Sequence, residues 1–292
     1  MFERFARSWT LAKASAGVLR QDRELLVLPV VSGLCTVLVA AAFIVPAYFT
    51  GMLEAAIKDA DAGQPADQAM SAAAYVWMFA FYLVQYFVII FFNTALVGAA
   101  LMRLDGGNPS LGSAFAIAAS RIGTIAGYAV ISATVGVVLR FIGERFGFIG
   151  RIVETLLGVG WAISTFLVVP VIVARGVGPI DAVKQSAAML RKSFGENIIG
   201  TGGIGLVFGL LVVVAGIVGA GLSFAVFDLT ESVGITALPV AATVIAVAAL
   251  IVYSAALSAV YSAAVYRYAD GQSPPPGMDE SLLSGAFQPK KA

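Results

Sequence analysis

Arginine followed closely by aspartate recurs in this chain beside glycine, and a guanidinium next to a carboxylate can fix an ion pair or help hold an anion. The pattern occurs at Arg103-Leu104-Asp105-Gly106-Gly107-Asn108-Pro109 and at Arg267-Tyr268-Ala269-Asp270-Gly271. A third site, Arg175-Gly176-Val177-Gly178-Pro179, keeps the arginine, glycine and proline but lacks the acid. Arg20, Arg121 and Arg191 close three stretches rich in small residues. These six arginines, with Asp105 and Asp270, are the candidate contacts for lipid headgroups or a partner protein, and the same arginines serve equally to fix topology and anchor the chain on lipid. Three further polar residues, Gln85, Asn93 and Glu154, lie within or at the edge of apolar runs. The two amides are expected to hydrogen-bond between helices or to touch a substrate. Glu154 is the carboxylate nearest membrane depth and the residue to test for proton or cation coupling.

Catalytic chemistry finds little to work with. The chain has no histidine, which removes the commonest general base and metal ligand. The single cysteine, Cys35, sits in an apolar run and cannot form an intrachain disulfide. Asp59-Ala60-Asp61 is too small an acidic group for a calcium loop and reads as solvated. No phosphate-binding loop, zinc spacing or serine–histidine set occurs. No catalytic residue, cofactor or metal is therefore expected, and a net charge of +1 suggests no nucleic-acid partner.

Those residues must be positioned by membrane helices. Sixty per cent of the 292 residues are hydrophobic and 12% are charged, against about a quarter charged in a soluble domain. Six runs approach or exceed the about 20 residues needed to cross a bilayer: Leu25–Phe49, Ala72–Met102, Ile122–Phe141, Ile152–Ala174, Ile198–Phe227 and Ile235–Tyr266. The fold class is all-α, a polytopic membrane protein. The first run is too long for a cleavable signal. Met1–Arg20 and Asp181–Lys192 carry apolar residues at helical spacing with cations beside them. Such helices lie in the headgroup plane or on the protein's own face. Gly205 and Gly209 stand four apart in the fifth run, a pattern that lets two backbones approach, so segment 198–227 is a candidate homo-oligomer or partner interface.

With six spans, both termini and the loops after spans two and four share one side of the membrane. That side holds fourteen of the 18 lysines and arginines, which predicts that both termini are cytoplasmic. Lys13-Ala14-Ser15-Ala16-Gly17-Val18-Leu19-Arg20 matches Lys184-Gln185-Ser186-Ala187-Ala188-Met189-Leu190-Arg191 at five of eight positions. The chain thus reads as three parallel hairpin pseudo-repeats, 1–108, 109–179 and 180–272, followed by a flexible cytoplasmic tail, 273–292. Each repeat is expected to end on its arginine and then on a left-handed glycine: Gly106, Gly178 or Gly271. Asp105 and Asp270 pair either within their own joint or with another unit's arginine.

Trp9, Leu19-Arg20, Leu25-Leu26 leading into Pro29, and Phe92-Asn93-Thr94-Ala95-Leu96-Val97 before a Gly-Gly-x-Pro turn resemble an uncharacterised family of six-span prokaryotic membrane proteins. More weakly, the phenylalanine–asparagine span and amphipathic helix resemble the membrane domain of bacterial glycerophosphodiester phosphodiesterases. The resemblance implies a fold and a location. It implies no hydrolysis, because no histidine or soluble phosphodiesterase domain is present.

Two functions follow as expectations. One is a non-enzymatic membrane protein that binds or organises lipids or partners at the cytoplasmic face. The alternative is a transporter or channel for a small neutral or apolar molecule. Broken helices at corresponding points of the repeats would favour transport, and a continuous glycine-rich fifth span would favour the first.

Overall fold

A computed structural model describes residues 15–17, 22–52, 72–194 and 203–272. Most of the N-terminal amphipathic segment, Arg20 included, most of the acidic loop and the whole tail lie outside the described residues. A 3-10 turn, Arg23–Leu26, leads into α1 (Val27–Phe49). Then come α2 (Ala72–Leu104), α3 (Leu111–Ser120), α4 (Ile122–Arg145), α5 (Gly147–Ser164), α6 (Val168–Arg175), α7 (Pro179–Phe194), α8 (Gly203–Thr230) and α9 (Val233–Ala269). Six segments are long and apolar enough to cross a membrane: Glu24–Phe49, Ala73–Leu104, Ile122–Gly143, Gly147–Arg175, Val207–Thr230 and Val233–Ala269. The protein is an all-α polytopic membrane protein. Among the described residues there is no strand.

Helix ends follow local chemistry. Pro29 lies in the first turn of α1, where its missing amide costs little. Ser110 caps α3 through a reciprocal box with Ser113, satisfying amides that the helix cannot. At 33 and 37 residues, α2 and α9 measure about 50 and 55 Å, well beyond a bilayer core of about 30 Å.

The core is concentrated at the end of the bundle where α2, α6 and α9 finish. Ala95–Ala100 of α2, Leu167–Ile172, and Ala256–Tyr266 of α9 are the main buried stretches there. Their alanines and serines let the three helices approach closely. Towards the opposite end the helices turn large apolar side chains outward, among them Leu38, Ile44, Phe148, Leu156, Ile217 and Ile245. In a membrane protein that surface meets acyl chains.

The fourth span is not one helix, as its unbroken hydropathy suggests. It is interrupted at Thr165–Leu167, between α5 and α6. The carbonyl of Ser164 and the amide of Leu167 are left without helical partners there. The Ser186 hydroxyl from α7 donates to Ser164 O at 2.7 Å and accepts from Leu167 N at 3.1 Å. Ser186 is fully buried, as is Ala182, with Met189 and Leu190 beside them on the same face. The apolar face of α7 thus packs on the protein.

Three glycine closures share one end. Gly106 and Gly271 take positive φ, and each closes its helix by paired bonds: Gly106 N to Arg103 O with Gly107 N to Met102 O, and Gly271 N to Tyr268 O with Gln272 N to Arg267 O. These are Schellman closures. In the second joint the expected residue, Gly178, is not the left-handed one. Gly176 is, at φ 62°. Helix α6 ends at Arg175, so the cap must come directly after it, and Gly176 N bonds to Ile172 O in the simpler single-bond form.

Candidate functional site

The three arginines that end α2, α6 and α9 form ion pairs across the sequence. Arg103 makes a bidentate pair with Asp22 through Nε and an Nη, and donates to Asn108 at 2.9 Å. Arg267 pairs with Asp105, 162 positions away. Arg175 donates to Asp270 at 2.6 Å, to Gln185 at 2.7 Å and to the Tyr266 hydroxyl at 3.3 Å. The local pair Arg103–Asp105 does not form. Residues two apart point to opposite sides of a helix, so each side chain meets a different neighbour. The acids therefore clasp α9 to α2, α6 to α9, and α2 to the entrance of α1. Asp22 is not among the candidate residues, because nothing local marks an acid whose partner lies 81 positions away.

Arg121 stands between α3 and α4 with its guanidinium over Gly176, where any Cβ would meet it. It is half-buried and has no acidic partner among the described residues. It lines a cleft of about 550 Å³ between α2, α3, α6 and α9. The apolar part of the lining includes Gly98, Ile117 and Val173, and the polar part Ser120, Arg121, Asp105, Tyr266, Arg267 and Gln272. The Nε of Arg267 is buried there without a hydrogen-bond partner in the described structure. Since Asp105 offsets Arg267, the positive charge of Arg121 is left over in the cleft. Arg191, by contrast, is exposed on α7 and does not line it.

At the opposite end Glu154 lines a second cleft, of about 470 Å³, with Arg140, Arg151, Tyr82 and Tyr86. Its carboxylate lies directly against the Gly143 backbone, and Arg140 donates to the Tyr82 hydroxyl at 3.1 Å. Glu154 is thus near the α4–α5 turn and not at mid-span.

The amides of α2 do not bridge spans among the described residues. Asn93 is exposed, about 100° around the helix from the stripe of Thr94, Val97 and Leu101 that meets the core. Gln85 turns inward, and its Oε1 is buried without a partner. Neither cleft is lined by Asn93 or Gln85. Helix α8 is continuous. Its Gly219 lies tight against Thr243 of α9, while Gly209, Gly216 and Gly221 face open space.

The arrangement can pair charges, hold an anion and close a helix break. Among the described residues no group of histidine, cysteine or carboxylate side chains is placed to bind a metal ion. No curated protein and no solved structure matches the chain. A family model described as a family of unknown function, DUF6159, matches residues 72–274. That match covers more than half of the sequence and takes in five of the six spans, both clefts and all three glycine closures: the chain belongs to the DUF6159 family.

Proposed function

We propose that this protein is a non-enzymatic component of a prokaryotic cytoplasmic membrane that binds or organises anionic lipid at the end carrying Arg103, Arg175 and Arg267. The observation that carries the reading is Arg121, a half-buried cation without an acidic partner among the described residues, in a cleft that has both an apolar wall and hydrogen-bond donors. The excess of lysine and arginine on that side supports a cytoplasmic orientation, where anionic headgroups are concentrated. The three glycine closures at one end support reading the chain as three parallel hairpins. A protein partner or a second copy is a further occupant, with the open glycines of α8 as its contact.

Reconstitution tests the proposal. In vesicles of mixed phosphatidylglycerol and phosphatidylcholine carrying labelled headgroups, the protein enriches phosphatidylglycerol in its boundary layer. A random boundary layer would count against it.

The break at Thr165–Leu167 supports a second reading, transport of a small neutral molecule, because interrupted helices bind substrates in many transporters. Against it, Ser186 already satisfies the freed backbone groups, and α2, α8 and α9 run unbroken through their described residues. Uptake of neutral solutes into vesicles at the protein-free rate would exclude those solutes as substrates.

A further inference from the structure

We infer that the cleft between α2, α3, α6 and α9 is a binding site for a single phosphate group, with Arg121 as its principal ligand and the guanidinium of Arg267, another lining residue, as a second. The inference deepens the lipid-binding reading and rests on it.

Two independent features point to an anion. Arg121 brings a guanidinium with no acidic partner among the described residues, held over the bare backbone of Gly176, where only glycine leaves it room. Arg267 brings an Nε–H that is buried and without a partner among the described residues, although its Nη1 is engaged by Asp105. A buried donor without a partner is costly, and an oxygen supplied by a ligand removes the cost. The two guanidinium groups come from different elements, between α3 and α4 and in α9, so they can address different oxygens of one phosphate. The Ser120 hydroxyl lines the same cleft.

Two features point to an amphiphile as the carrier of that phosphate. Gly98, Ile117 and Val173 give the cleft an apolar wall. Its charged groups stand where α6 and α9 end, at the depth expected of headgroups. The same chemistry would accept free phosphate, and the test separates the two sources.

The test uses the full chain in mild detergent, with native mass spectrometry of added phosphatidylglycerol or of diacylglycerol, which has the same acyl chains and no phosphate. Wild type should prefer phosphatidylglycerol about tenfold, the effect of one charge-assisted bond. Arg121→Gln should bring the two lipids level. Arg191→Gln, exposed and outside the cleft, should retain the preference. Ser120→Glu keeps Arg121 but sets a carboxylate beside it, so it should also abolish the preference even if Arg121→Gln fails to fold. Inorganic phosphate that displaces phosphatidylglycerol at comparable concentration would keep the phosphate site and assign it to a soluble ligand. An unchanged preference in folded Arg121→Gln and in Ser120→Glu overturns this inference while leaving lipid binding by other arginines standing. Equal binding of both lipids by wild type overturns both.

Discussion

The Ser186 hydroxyl of α7 donates to the Ser164 carbonyl at 2.7 Å and takes the Leu167 amide in return, so one buried side chain supplies both partners that the break in the fourth span removes. In hydrocarbon those backbone groups have no water to turn to. Ser186→Ala should cost about 1–3 kcal/mol, the penalty of leaving buried polar groups unpaired. Ser120→Ala, at an exposed position, should have little effect. Thermal midpoints of the two variants in one detergent compare them, and equal midpoints would mean that α7 does not secure the break.

Gly176 is constrained twice, by its left-handed backbone and by the Arg121 guanidinium above it. Gly176→Ala should destabilise by about 1–2 kcal/mol from the backbone conformation alone. Gly160→Ala, inside α5 with open space around it, should be neutral or stabilising by up to about 1 kcal/mol. A denaturation series on the two variants reads the contrast. A tolerated alanine at 176 would contradict the closure described.

The ion pairs should differ in weight. Asp22 is 10% exposed, whereas Asp105 is 63% exposed. Asp22 is a mostly buried, bidentate partner of Arg103, so Asp22→Asn should cost on the order of 3 kcal/mol. The screened pair at Asp105 should contribute under about 1 kcal/mol. A double-mutant cycle on each pair checks the order, and the Asp105 coupling should also weaken with salt.

Gly219 sets the spacing of α8 and α9. A Cβ there would run into Thr243. Gly219→Ala should cost about 1–3 kcal/mol from overpacking, while Gly219→Ala combined with Thr243→Ser should recover part of it. Gly209→Ala, which meets nothing in the structure, should leave the fold unchanged. If Gly209→Ala instead alters sedimentation, that face holds a second copy.

The spans were readable because each needs only a local run of apolar residues, and the helix-closing arginines and two of the three closing glycines because they act within one turn; at the second joint Gly176, not Gly178, closes the helix. The break in the fourth span was not readable. Thr165-Phe166-Leu167 is as apolar as its surroundings, and the hydroxyl that stabilises the break is 19 residues away from Leu167. The charge pairing was readable in part. Arginine and acid at two of the three joints suggested pairs, but which acid meets which arginine depends on how the helices rotate against one another. Asn93 shows the same limit. Its depth in α2 was plain, while its outward direction follows from which stripe of α2 the core takes.

The central claim is that the end bearing Arg121, Arg175 and Arg267 meets anionic lipid in a way the opposite end does not. It can be tested in a Cys35→Ala background with a photoactivatable label on Ser120→Cys or on Phe148→Cys, at opposite ends, in vesicles of phosphatidylglycerol and phosphatidylcholine. The account predicts crosslinks enriched in phosphatidylglycerol at position 120 and following bulk composition at position 148. Equal composition at the two positions would contradict it.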